Sequence, residues 1–166
     1  GSPLTRNGYA LVMSAGITSV LGLVFWILAA HYYTPEQVGL AAALLSMLLT
    51  LGNMAQLNLG NVLNRFLPVA NDKSAKLIAR SYGAAIVAAA VFSSVFVLGV
   101  TSIAPKLSFL SQDWQTAALF IASVTIWTLF VLQDGVLAGL RQSSWIPLEN
   151  TVYALMKIVL LIVLAG

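Results

Sequence analysis

The 166-residue sequence has no cysteine, one histidine and very little charge, with eight Lys or Arg and five Asp or Glu making up 8% of the chain. Without cysteine there are no disulfide staples, thiolate metal sites or cysteine nucleophiles, and a lone His31 argues against a histidine-based zinc site. Soluble domains carry about a quarter charged residues, so a chain this poor in charge cannot dress a soluble surface. What is present instead is apolar: 60% hydrophobic residues and a mean hydropathy of +0.93. The chain reads as an integral membrane protein. Gly1-Ser2 reads as a cloning scar. The first apolar run is too long for a signal-peptide core and reads as a retained anchor.

A bilayer core of ~30 Å needs ~20 helical residues. Charges and prolines divide the chain into five such spans, about 8–32, 36–66, 76–103, 113–139 and 145–166, within one transmembrane domain over 1–166. The expected fold is an all-α polytopic membrane helix bundle. The joints carry helix signals. Thr34-Pro35-Glu36-Gln37 offers a cap, a proline at the first helical position and a glutamine three residues after the cap. Pro68 ends the second span, "NDKS" precedes the third, Pro105 closes it, and "SSWIP" with an interfacial Trp145 precedes the fifth. Connections this short make neighbouring helices antiparallel. Arg6, Arg65, Lys73, Lys76, Arg80 and Arg141 then share one side, against Lys106 on the other, which places the N-terminus in the cytoplasm. An odd number of spans and an abrupt end read as a piece of a longer protein.

Polar groups in hydrocarbon are costly and face the bundle interior, a pore or one another. Projected at ~100° per residue, Asn53, Gln56, Gly60 and Asn64 share one arc of the second span, with Asn58, Asn61 and Arg65 beside it. Thr116, Ser123, Trp127, Phe130 and Asp134 share a face of the fourth span, and Asn150, Tyr153 and Lys157 one of the fifth. A weaker stripe of Ser14, Thr18, Gly22 and Ala29 marks the first span. Each has two readings. The small stripe serves close helix packing. The amides are interhelical glue or a cavity lining. Arg65 and Arg141 snorkel and set topology, or bind. Asp134 caps its helix or pairs with Arg141, or is a cation or proton site. Lys157 either lies in a cavity, at an insertion cost of ~2.5–3.5 kcal/mol, or follows a long loop, which the apolar "VYALM" before it opposes.

The stretch "LVFWILAAHYYTPEQVGLAAALLSMLLTLGNMAQLNLGNVLNRFLP" resembles the first two helices of bacterial polysaccharide and lipopolysaccharide (O-antigen type) flippases, where a "TPEEVG"-like loop precedes a helix ending in "RFLP". "VLQDGVLAGLRQSSWIPLENTVYALMKIVLL" resembles the fourth-to-fifth helix junction of the same family. These motifs mark the oligosaccharide-exporter branch of a superfamily that also holds multidrug antiporters and lipid II flippases. The resemblance implies that the chain forms most of the N-terminal lobe of a two-lobe alternating-access transporter in the bacterial cytoplasmic membrane. It implies an undecaprenyl-pyrophosphate-linked oligosaccharide as cargo. Lys157 and Arg65 would meet the pyrophosphate, Asn53, Gln56, Asn64, Asn150 and Tyr153 the glycan or cavity, and Asp134 a coupling ion or proton. Expected partners are the remaining helices of the transporter, membrane lipids and polysaccharide polymerase machinery. No cofactor, metal, catalytic residue or nucleic acid is expected.

Three other readings compete. A multidrug cation antiporter of the same superfamily calls for acidic residues deep in the cavity, whereas the deepest charge here is basic. A membrane-embedded glycosyl- or acyltransferase needs clustered acids, a histidine or a metal motif, and the five acids are scattered. A structural subunit without cargo would bury its polar faces against protein.

Overall fold

A computed structural model describes residues 3–140, 142 and 145–165, and the side chains of 15–140, 142 and 145–164. Gly1-Ser2, Arg141 and the side chains of Arg6 and Ser14 lie outside these. The chain is all-α, with helices α1 (Pro3–Tyr32), α2 (Pro35–Ala55), α3 (Leu59–Phe66), α4 (Ser74–Ile103), α5 (Trp114–Gly139) and α6 (Ile146–Ala165). Among the described residues, five stretches are long and apolar enough to cross a membrane: Ala15–Tyr32, Pro35–Ala55, Asn71–Ile103, Trp114–Gly139 and Ile146–Leu164. They make this a multi-pass membrane bundle. By contacts the chain divides into two compact units, Gly1–Gly39 with Gln142–Gly166, and Leu40–Arg141.

In the first unit α1 packs along α6. Phe25 lies beside Lys157, and the Tyr33 hydroxyl donates to the Leu161 carbonyl at 3.2 Å. Both pairs advance in the same direction, so the first and fifth spans run parallel, as four intervening turns require. Buried Phe25, Ala29 and Ala154 fill the seam. The cap at Thr34 forms as its sequence suggests: the Gln37 N–H donates to Thr34 Oγ1 at 3.3 Å, and the Thr34 N–H to Gln37 Oε1 at 3.0 Å.

The second unit is built on α4 and α5. Small residues recur every fourth position on α4, at Ser81, Ala85, Ala89 and Ser93, all buried. In lipid, where apolar burial alone does not drive association, such a stripe lets backbones approach and gain packing contacts. Phe96 meets Phe120 near one end, with ring centroids 5.7 Å apart, and Ala85 packs with Leu132 near the other. These helices are therefore antiparallel. Pro105 bars its predecessor from the helical region, so Ala104 turns out at φ −141° and α4 ends. Leu107 and Leu110 of the short 3₁₀ segment that follows tuck back into the core. Asp113 caps α5, accepting from the Thr116 N–H and hydroxyl, each at 3.1 Å. The Thr116 N–H above all holds this exposed carboxyl below its ordinary range.

The second expected span, 36–66, is not one helix. It breaks after Ala55, and Leu57 and Asn58 take left-handed conformations at φ 51° and 59°. Asparagine tolerates that region; a leucine there costs roughly 1–2 kcal/mol. Leu57 is half exposed. Leu57→Gly should therefore raise the midpoint of detergent unfolding, by up to ~1 kcal/mol; a fall of that size would mean that the leucine side chain, not the turn, holds the break. The other four spans differ from expectation only at their ends.

Candidate substrate-binding site

The break in the second span changes its polar arc. Asn58 Oδ1 accepts from Asn61 Nδ2 at 2.6 Å, and the Asn58 carbonyl receives the N–H groups of Asn61 and Val62. Gln56 is half-buried, and its carbonyl accepts from the Leu59 N–H at 2.8 Å. Part of the amide run thus satisfies backbone and side-chain groups at the break. A projection that treats 53–64 as one continuous helix does not hold, because the left-handed pair re-aims everything after it. Asn53, on α2, and Asn64, on α3, are both exposed.

Depth separates the candidate cations. α2 and α3 run parallel to α5 in constant register: Gly52 lies against Trp127 and Thr128, Gly60 against Gly135, and Leu63 against Gly139. At 1.5 Å per residue, Gly135 is ~31 Å from the exposed Trp114 at the start of α5, the full thickness of a ~30 Å hydrocarbon core. α3 therefore begins near the membrane boundary. Arg65, exposed and 5.6 Å from the centre of the Phe66 ring, sits in the headgroup region, where a positive charge needs no further explanation. Asp134, next to Gly135, lies at the edge of the core and ~9 Å inside the level of Arg65, half-buried with Oδ1 enclosed; a pairing with Arg141 falls outside the described residues.

Lys157 is different. α6 is helical from Ile146 onward, which removes the reading that a loop extends to the lysine. Counted from Trp145, Lys157 lies ~18 Å along the helix, close to the middle of a ~30 Å core. Its ammonium is 4.2 Å from the centre of the Phe25 ring and 5.9 Å from that of Tyr153. The structure thus brings Tyr153 and Lys157 together, with Asn150 half-buried one turn before Tyr153. Phe25 was absent from the expected site. It falls on the same α1 face as Gly22 and Ala29, and the stripe of small residues drew attention away from the aromatic within it. Gly22 itself has no described residue within 4 Å of where a Cβ would stand.

The aromatic and hydroxyl face of α5 is largely committed. Trp127 stacks on Phe130 at 5.5 Å and 26°, and Trp127 Cδ1 occupies the space in front of Gly52. The Ser123 hydroxyl donates to the carbonyl one turn back, and Thr116 is tied to Asp113. Thr128, missed in the sequence, is buried; its hydroxyl donates to the Val124 carbonyl at 2.8 Å and approaches the Gly52 carbonyl at 3.4 Å.

A second signal went unread. Gly135-Val-Leu-Ala-Gly139 is a small-xxx-small pattern of the kind that seats a neighbouring helix. A Cβ on Gly135 would lie 2.6 Å from the Gly60 Cα, and one on Gly139 2.8 Å from the Leu63 carbonyl oxygen. No family model matches this chain, and neither does any curated protein or solved structure.

Proposed function

We propose that the chain forms part of a membrane transporter that moves an anionic, lipid-linked oligosaccharide across the bacterial cytoplasmic membrane by alternating access. One observation carries this reading: a lysine ammonium at mid-membrane depth, bordered by the rings of Phe25 and Tyr153. An aromatic face stabilises a cation by about 2 kcal/mol when desolvated without using its N–H donors. A pyrophosphate could accept those donors in charge-assisted hydrogen bonds, while Tyr153 and Asn150 meet sugar faces and hydroxyls. Arg65, at the membrane boundary, would meet the pyrophosphate on entry, with Asn53, Gln56 and Asn64 contacting the glycan. The charge distribution supports a cytoplasmic N-terminus, and the motif resemblance supports the cargo class. In this reading the chain catalyses no covalent chemistry.

The decisive assay reconstitutes the full-length protein that carries this chain in proteoliposomes. Translocation of a fluorescent undecaprenyl-pyrophosphate oligosaccharide is followed beside efflux of cationic dyes. Glycan translocation without dye efflux is expected; dye efflux that requires Asp134, without glycan movement, would establish the antiporter instead.

A further inference from the structure

Where α3 gives way to α4, the second unit holds an open cleft of about 730 Å³ whose wall includes Phe66, Val69, Asn71, Lys73, Lys76 and Arg80. Lys76 and Arg80, four apart, share one face of the start of α4, and Lys73 is the N-cap of that helix. All three are exposed, and Asp72 is the one acid in the wall. The lining also holds exposed apolar side chains: Phe66 is half exposed and Val69 70% exposed. The segment between the helices is shaped for this opening. Asn71 takes a left-handed φ of 43°, and the Ser74 hydroxyl donates back to the Asn71 carbonyl at 2.6 Å, so the chain turns sharply and α4 starts beside Phe66.

Depth fixes what such a cleft meets. Measured back from Ile103, Arg80 is ~35 Å along α4. A ~30 Å hydrocarbon core ends near residue 83, and headgroups occupy ~5–7 Å beyond it. Arg80 is therefore level with lipid phosphates, while Lys76 lies ~10 Å beyond the core, within side-chain reach of the same layer; Phe66 and Val69, further along the chain than Arg65, border the outer headgroup region. Topology alone needs positive charge on this side, but it does not need three cations to line one cleft together with exposed apolar side chains.

We infer that this cleft binds the phosphate headgroup of an anionic membrane phospholipid, with Arg80 and Lys76 on the phosphate, Lys73 at its rim, and Phe66 and Val69 bordering the headgroup. The site is separate from Lys157 and stands whether or not the transport reading does.

The chain is reconstituted in phosphatidylcholine vesicles with a trace of spin-labelled lipid, and the motionally restricted fraction is read by electron spin resonance. A cation near an anionic headgroup is worth about a fivefold preference, so Arg80 and Lys76 together predict roughly 25-fold selectivity for phosphatidylglycerol over phosphatidylcholine. The triple variant Lys73→Gln, Lys76→Gln, Arg80→Gln should bring it within about twofold, and Arg80→Gln alone should lower it about fivefold, which keeps the test open if the triple variant misfolds. Lys106→Gln, at the far end of α4, and Lys73→Arg with Lys76→Arg should leave it intact. Equal restriction of the two lipids by the wild-type chain, or unchanged selectivity in Arg80→Gln, overturns the assignment. So does displacement of the phosphatidylglycerol label by inorganic phosphate, but not by chloride at matched ionic strength, because the cleft would then be a free-phosphate site.

Discussion

Gly135→Ala should unfold the α3–α5 contact, whereas Gly60→Ala, at the same crossing, should be nearly silent. The two glycines touch, but their missing Cβ atoms point differently. On Gly135 a Cβ would stand 2.6 Å from Cα, 2.8 Å from O and 3.0 Å from C of Gly60, all backbone atoms of a helix that can yield only by moving bodily. On Gly60 it would meet only the end of the Gln56 side chain, at 3.4 Å, which is ordinary contact with a flexible group. Overpacking of this kind costs about 1–3 kcal/mol for one methyl group, and a valine at 135 should exceed that and detach α3. Gly83→Ala, with nothing within 4 Å, is the control and should be neutral or slightly stabilising. Unfolding midpoints in mixed detergent measure all four variants. Equal losses for Gly135→Ala and Gly60→Ala would mean that the helices meet in another register.

The same crossing shows what the sequence made legible and what it did not. Five spans could be read because charges and prolines punctuate them: Pro35, Pro68, Pro105 and the polar joints each fall at a helix end. The break at Leu57-Asn58 carries no such mark. No proline or glycine occupies it, and its amides are as compatible with a polar helix face as with a turn, so the projection ran through it unbroken. α3, after the break, packs on α5, and Gly52, before it, lies against Trp127 and Thr128 in the same register, and those contacts are tertiary facts. Gly135 and Gly139 were readable as a spacing, but their partner helix was not. Of the candidate site, Lys157 and Tyr153 followed from helical spacing within one segment. Phe25 did not, because α1 and α6 are over a hundred residues apart in sequence. Arg65 and Lys157 looked equivalent in the sequence, and only depth, boundary against mid-membrane, separates them.

Lys157→Met should abolish or cut transport at least tenfold without lowering the unfolding midpoint, and this split distinguishes a binding charge from a structural one. A lysine at this depth costs ~2.5–3.5 kcal/mol to insert, of which the Phe25 ring returns about 2 kcal/mol. Met keeps the length and packing of the stem and removes the charge, so the fold loses little and avoids the insertion cost; exchanging a buried charge for an apolar residue of similar volume is often neutral or stabilising. Phe25→Leu should do the opposite to stability, leaving the ammonium at the same depth without its nearer ring. Its unfolding midpoint should fall by about 1–2 kcal/mol, while the double variant with Lys157→Met should recover most of that loss, because the ring matters chiefly to the cation. Lys157→Arg keeps the charge and should retain measurable transport, reduced by the poorer fit of a planar group beside Phe25. Transport is read by complementation of an exporter-deficient strain with the full-length protein and by glycan translocation in proteoliposomes. Wild-type export by Lys157→Met would remove the mid-membrane ammonium from the mechanism. A destabilised Lys157→Met that regains export when folding is rescued would make the lysine a packing residue, held by Phe25 for the sake of the α1–α6 seam alone.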